Sequence, residues 1–383
     1  MRCPRCQNEE KKYFYKSSKG WICRRCIQFR RQLVEEKITS HEIEEVKADA
    51  QEYILKYPLT PKQKEISYQC LQSLLVGKDV FIDALCGGGK TELVLQSISA
   101  YLKRRKRVVF AVARRQVVLD LYSRLKPIFK DAKVIAVCQG YTDDLVGDLI
   151  LCTTHQLYRY PKTFDLVVLD EPDAFPYKGN IVLEGIVKTS CIGQMIYLTA
   201  TPDKTIKRRI QQGELTHLKL YRRPHNYDLP VPQLIIAPII FLFVILVQWI
   251  YEHNGKSVLI FVPTIKMAKV MHRLLSCLFQ VDSCTSKTSD KDRIIQQFRE
   301  KKIQCLIATT ILERGVTIEG IDVCVFCADH RVFDEASLVQ MSGRVGRSFK
   351  YPTGDCLFLS VSKSKLVDDC IKTCIKVNEL GRM

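Results

Sequence analysis

From Tyr57 onward, short apolar runs alternate with amphipathic stretches. Residues 80–82, 108–110, 134–137, 149–151, 166–169 and 195–198 form brief, often β-branched runs. Such runs predict strands buried on both faces of a parallel sheet. Between them lie helix-like stretches such as 91–103, where Leu93, Val94, Ile98, Tyr101 and Leu102 fall on one face. After Pro230 the alternation resumes, with strand-like runs at 258–262, 305–308, 323–326 and 356–359 and helices over about 264–279, 290–300 and 334–345. Two successive series of this kind predict two α/β lobes. The segment 221–232 carries Pro224, Pro230 and Pro232 and is read as the hinge. The expected domains are a Cys-rich module over 1–31, a charged helical connector over 32–56, a first lobe over 57–222 and a second over 223–383.

The 383 residues are 46% hydrophobic, which excludes wholesale disorder. A net charge of +18 adds a constraint on partners. Such an excess concentrates polyanions at the surface, so nucleic acid or an anionic membrane face is expected. The 17 cysteines are scattered through the chain, and it opens on metal-ligand spacing rather than a signal sequence. Both features lead to the expectation of a reducing cytosol.

Cys3-x2-Cys6 and Cys23-x2-Cys26 are separated by sixteen residues. Each pair can present two thiolates to one tetrahedral ion, and the set predicts structural zinc. Between and beside the pairs lie Lys11, Lys12, Lys16, Lys19, Arg24 and Arg25 with Tyr13, Phe14, Tyr15 and Trp21. Cations that track phosphates and rings that stack on bases suit a single strand. The same rings could equally form the mini-core that so small a module needs.

Ala84-Leu85-Cys86-Gly87-Gly88-Gly89-Lys90-Thr91 follows a predicted strand and opens a predicted helix. Gly87, Gly88 and Gly89 let backbone N–H groups curl around phosphates, and the helix N-terminus adds positive potential. Lys90 is expected to reach the β- and γ-phosphates of ATP, and Thr91 to hold magnesium. Asp170-Glu171 ends a buried strand 80 residues after Lys90, where ligands bind in α/β sheets. Asp170 is the expected magnesium ligand and Glu171 the base that activates the attacking water.

With these motifs in order, the chain resembles superfamily-two helicases over roughly residues 57–360. The resemblance implies two tandem RecA-like lobes and a set of roles. Gln63, in Leu59-Thr60-Pro61-Lys62-Gln63, would read adenine. Arg114 and Arg115, with Thr153 and Thr154, would grip the DNA strand from lobe one, and Thr309 and Thr310 from lobe two. Thr199, Ala200 and Thr201 would couple hydrolysis to movement. Gly315, in the motif 309–315, would lie at the nucleotide. Arg344 and Arg347, in Gln340-Met341-Ser342-Gly343-Arg344-Val345-Gly346-Arg347, are spaced to act as arginine fingers on the developing phosphate charge.

The arrangement is similar to the late competence ComFA family of Gram-positive bacteria, which joins a four-cysteine zinc module to two helicase lobes. That family typically has Asp-Glu-Val-Asp-Ala-Phe-Pro, and this chain has Asp170-Glu171-Pro172-Asp173-Ala174-Phe175-Pro176. The resemblance implies an ATPase that pulls single-stranded DNA inward during transformation, with other competence proteins, in the cytoplasm or at the inner membrane face. A replication-restart helicase like PriA is the alternative, although its zinc ligands lie inside the second lobe. A zinc-dependent nucleic-acid adaptor with weak ATPase is the third reading.

The most hydrophobic stretch is 234–247, extended by Trp249 and Ile250. A membrane-spanning helix needs about 20 apolar residues. One crossing here would also place Lys90 and Arg344 on opposite sides of a bilayer, where they could not share one ATP. Pro238 splits the run. The expectation is therefore no transmembrane span. A strand or linker should run up to Ala237, followed by a helix packed on lobe two, the alternative being a docking face for membrane or protein.

Overall fold

A computed structural model describes residues 1–36, 53–55, 57–199, 204–310 and 318–382. The chain divides into two units. The first comprises Met1–Ala84 and Lys90–Leu220, and the second Leu85–Gly89 and Tyr221–Met383.

The first unit opens with a hairpin, β1 (Phe14–Ser17) and β2 (Gly20–Cys23). It continues through α1 (Pro61–Leu75), β3 (Asp79–Ala84), α2 (Lys90–Lys103), β4 (Val108–Val112), α3 (Arg115–Leu125), β5 (Val134–Val137) and β6 (Leu149–Thr153). Then follow β7 (Phe164–Asp170), α4 (Ile181–Ser190), β8 (Cys191–Thr199), α5 (Lys204–Gln211) and β9 (Leu215–Leu220). The order β5-β6-β4-β7-β8-β3-β9 is parallel throughout. Strands β4 and β6 are buried at every position, because helices cover both faces and alternation has no solvent side to follow.

The second unit contains β10 (Gln233–Ile236), α6 (Ile239–Glu252), β11 (Ser257–Phe261), α7 (Ile265–Leu275), β12 (Val281–Cys284), α8 (Lys291–Arg299) and β13 (Cys305–Ala308). It ends with β14 (Ile321–Phe326), α9 (Glu335–Ser342), β15 (Cys356–Ser360) and α10 (Lys365–Arg382). Its sheet, β10-β15-β14-β11-β13-β12, is also parallel. The α/β class expected from the hydrophobic pattern is the one observed, with two parallel sheets.

Strands β9 and β12 carry no long apolar run, and sequence periodicity missed both. Each lies at a sheet edge, where half-exposed residues such as Thr216 and Asp282 are tolerated. Most of the connector expected as a helix lies outside the described residues. The stretch after Pro238 does form a helix, α6, with Leu242, Leu246, Trp249 and Ile250 buried. Its other face leaves Ile240 and Phe241 exposed, so the packing is one-sided. Among the described residues no helix is long and apolar enough to cross a membrane.

Candidate nucleotide and metal sites

Three strand ends meet at one edge of the first sheet. Strand β8 lies between β7 and β3, pairing Asp170 with Leu198 and Asp83 with Thr199. The exits of β3, β8 and β7 are therefore neighbours, separated by about 4.8 Å per strand. The phosphate loop leaves β3, Asp170 and Glu171 leave β7, and Thr199 ends β8.

Gly87 and Gly89 have φ of 80° and 82°, in the left-handed region that favours glycine. Lys90 is the first residue of α2, a helix long enough to carry an appreciable dipole. These features fit a polyphosphate, which needs converging backbone donors and a cation at a helix N-terminus. Upstream, Thr60 caps α1: the Gln63 N–H donates to Thr60 Oγ1 at 3.3 Å, and the Thr60 N–H donates to Gln63 Oε1 at 3.0 Å. The buried Gln63 carboxamide is thereby held in a fixed orientation.

Glu171 has φ of 52°, strained for a residue with a Cβ. Its N–H donates to Leu198 O at 2.8 Å, and its carbonyl accepts from Ala174 N at 2.9 Å. The backbone thus breaks sharply from β7. Thr199 Oγ1 donates to the buried Asp173 carboxylate. This bond joins the segment after β7 to the end of β8. It gives Asp173 a connecting place that sequence reasoning missed, although Asp173 lay inside the quoted motif. Ala200 and Thr201 lie outside the described residues.

Among the residues expected to grip a strand, Arg114 is the N-cap of α3. Arg115 donates from Nε to Gln139 O at 3.0 Å and lies over the Tyr141 ring. Thr153 ends β6 and Thr154 opens the 3-10 turn that follows; both side chains are buried. In the second unit, β11 and β13 are adjacent and in register, Phe261 opposite Ala308. The segments 262–264 and 309–310 leave the sheet side by side. Thr264 caps α7, accepting from Met267 N at 3.1 Å. Thr309 and Thr310 are half-buried, and Gly315 lies outside the described residues.

Arg344 and Arg347 follow the end of α9, with Arg344 buried and Arg347 donating from Nε to Gly343 O at 2.8 Å. Sequence reasoning missed their neighbour Arg223. It is 2% exposed, and its guanidinium donates to Cys86 O (3.0 Å), Val345 O (2.7 Å), Gly346 O (2.7 Å) and Gly343 O (3.0 Å). Burial, with Arg347 nearby, pulls its pKa down to about 10, so it remains a cation at neutral pH. An arginine beside Arg222 in a proline-rich segment has no motif to announce it. Only the buried fork of carbonyls reveals that it fixes the backbone from which Arg344 and Arg347 project.

At the amino end, Cys3 Sγ lies 3.7 Å from Cys26 Sγ, and Cys6 Sγ lies 3.8 Å from Cys23 Sγ. All four thiols are buried within one cluster. A tetrahedron of sulfurs around zinc has edges of about 3.8 Å, so the donor set fits zinc without rearrangement. Hydrogen bonding among the thiols pulls Cys3 down and pushes Cys26 up. So close a set can hold several negative charges only around a cation. The basic and aromatic residues stack largely on each other, Arg24 over Tyr15 at 4.5 Å and Arg25 over Tyr13 at 4.6 Å.

The cysteine module docks on the first unit's own core. Phe29 packs against His155 and Tyr158, and the four cysteines share an apolar cluster with Tyr160, Phe164, Leu183 and Ile186. Burial pulls the His155 pKa down, keeping the ring neutral. Gly185 of α4 admits the approach: a Cβ there would sit 2.0 Å from Cys6 O. Gly185→Ala is expected to push the module off α4 at a cost of about 1–3 kcal/mol. Thermal unfolding and limited proteolysis of residues 1–36 check this; an unchanged melting curve and cleavage pattern would contradict it.

A phosphate loop, a strand-end carboxylate pair and two parallel α/β sheets define a superfamily-two helicase-type ATPase. Residues 56–204 match the family described as type III restriction enzyme, res subunit, and residues 242–349 match the helicase conserved C-terminal domain. The chain is 31% identical to the competence protein ComFA of Bacillus subtilis, over 99% of this chain and 86% of that one. It is 32% identical to ComFA of Streptococcus pneumoniae, over 98% and 90% respectively. The chain belongs to the ComFA family. Among solved structures it is similar to Saccharomyces cerevisiae Dbp5 bound to RNA and ADP BeF3, with TM-score 0.63 at 17% identity, covering 84% of this chain and 92% of that one. The DEAD-box helicase Mss116 bound to ssRNA gives TM-score 0.64 at 15% identity, over 83% and 78% of the two chains. These two structures bear on the fold alone, and it is that of tandem RecA-like lobes.

Proposed function

We propose that this chain is a DNA-stimulated ATPase that translocates on single-stranded DNA and powers DNA uptake during transformation. The observation that carries the motor reading is the alignment of three strand exits. Lys90, Asp170 with Glu171, and Thr199 lie at neighbouring strand ends, and the Asp173–Thr199 bond ties the carboxylate segment to the coupling segment. The uptake role rests on membership of the ComFA family, and the choice of polyanion on the net charge of +18.

In this reading the phosphate loop and Lys90 hold the triphosphate. Thr91 and Asp170 would hold magnesium, which would supply neutralising charge for the triphosphate. Glu171 takes a proton from water as its oxygen attacks the γ-phosphorus, and ADP departs. Arg344 and Arg347 answer the charge that develops on the transferring phosphoryl group. Arg114, Arg115, Thr309 and Thr310, with backbone groups near Thr153 and Thr154, track the DNA backbone. Partners at the membrane are other DNA-uptake proteins.

Displacement of streptavidin from end-biotinylated single-stranded DNA tests translocation directly. ATP-dependent displacement by the wild-type chain is expected. Glu171→Gln should bind ATP with near-normal affinity, hydrolyse it at least about a hundredfold more slowly, and displace nothing. Collapse of nucleotide affinity in Glu171→Gln would remove Glu171 from the role of base. Displacement that ignores ATP would defeat the motor reading.

A further inference from the structure

A second group of metal-ligand side chains lies at the opposite edge of the second unit's sheet. His253 follows α6, Asp322 is the second residue of β14, and Asp355 immediately precedes β15. Strands β15, β14 and β11 are adjacent, so their amino-terminal ends bring these residues together. Thr309 and Thr310 follow the carboxyl end of β13, so this cluster lies at the other end of the same sheet.

The hydrogen bonding points to a cation. His253 Nδ1 lies 2.7 Å from Trp249 O, a carbonyl that can only accept, so Nδ1 carries a proton. In the neutral ring Nε2 then presents a lone pair. That lone pair faces Asp355 Oδ2 at 2.9 Å and Asp322 Oδ2 at 3.8 Å, both acceptors. With the ring neutral, three acceptors face one point, and the positive charge among them is either the Lys256 ammonium or a bound cation. Asp322 is 2% exposed. Its Oδ1 accepts from Asp355 N at 2.7 Å, while its buried Oδ2 accepts no hydrogen bond. The nearest cation is Lys256 Nζ, an ion pair 3.1 Å from Asp322 Oδ2 and 3.9 Å from Asp355 Oδ2. Lys256 is half-exposed and can swing into solvent.

The site is built rather than accidental. The His253 ring stacks on Trp249 at 4.4 Å and is fixed by the carbonyl behind it, the arrangement that orients metal-binding histidines. Gly354 leaves the space that Asp322 fills, since a Cβ there would lie 2.6 Å from Asp322 Oδ1. The three ligand atoms lie within 4.8 Å of one another. Nitrogen and oxygen ligands around zinc stand about 3.4 Å apart, and the observed 2.9 and 3.8 Å bracket that value.

We propose that His253, Asp322 and Asp355 bind one divalent first-row transition ion, displacing Lys256 and clasping the end of α6 to β14 and β15. One imidazole, two carboxylates and open positions for water suit zinc or manganese rather than a soft monovalent ion.

The test uses the full chain with its four-cysteine site loaded with zinc, titrated with further zinc at pH 7.5 and followed by calorimetry and metal analysis after gel filtration. The wild type should take up one additional equivalent. Asp355→Asn should weaken that step at least about tenfold and leave the thiolate-bound zinc in place. Lys256→Gln should tighten it, by up to about fivefold, because a competing ammonium is gone. Both positions are half-exposed, and circular dichroism checks that the variants fold. A wild type that takes up no second equivalent overturns the proposal. The proposal also falls if Asp355→Asn retains the second equivalent, or if Lys256→Gln loses stability without gaining metal affinity. ATP hydrolysis is no part of the readout, so failure here leaves the motor reading intact.

Discussion

Lys90→Ala is expected to lower nucleic-acid-stimulated ATP hydrolysis by about a thousandfold or more while leaving affinity for single-stranded DNA essentially unchanged. The charge at the start of α2 is the only one the loop 85–91 supplies to the phosphates. Its loss removes an interaction that strengthens as charge moves onto the leaving ADP. The residues proposed to track DNA lie on other elements, at α3 and after β6 and β13. Turnover and filter binding on the same preparation separate the two effects. Substantial residual turnover would remove Lys90 from its proposed role.

The second large effect is expected from Cys23→Ser combined with Cys26→Ser. Two hydroxyls in place of thiolates leave zinc with half its ligands, and metal binding and folding are coupled in modules of this size. If the module hung from the lobe by a connector, basal ATPase would survive untouched. Its cysteines instead share an apolar cluster with Tyr160, Phe164 and Leu183, and Phe29 covers His155. Losing the module exposes part of the first unit's core. The double variant is therefore expected to lack thiolate-bound zinc, to unfold at lower temperature, and to lose ATPase on warming before the wild type does. Metal analysis with a thermal activity profile checks this. A variant with no thiolate-bound zinc and an unchanged profile would show that docking contributes nothing.

Much of this was legible in the chain because two parallel sheets require continuous apolar runs. Residues 166–169 and 258–262 could hardly be anything but buried strands, and the phosphate loop and Asp170-Glu171 sit at strand ends where polar residues must appear. The edge strands β9 and β12 were not legible, since an edge tolerates polar and half-exposed residues. Docking of the cysteine module was also hidden. It turns on Gly185, a single residue whose lack of a Cβ matters only against the Cys6 carbonyl. Arg223 was hidden for a related reason: its partners are backbone carbonyls, which leave no trace in residue types. The His253 cluster joins residues distant in sequence, brought together by strand order rather than spacing. On α6, the split at Pro238 led to a helix after Ala237, but the run is apolar on both faces and could not say which one is buried.

A motor driven by ATP on single-stranded DNA is tested by the steady-state ATPase rate of the full chain with no polymer, single-stranded DNA, duplex DNA or RNA. Low basal turnover is expected to rise at least about tenfold with single-stranded DNA and much less with duplex or RNA, and the response to weaken steeply with salt as phosphate contacts release counterions. Equal or greater stimulation by duplex DNA would indicate an unwinding enzyme, and no stimulation by any polymer would indicate a binding adaptor. Either result would rule out a single-strand translocase.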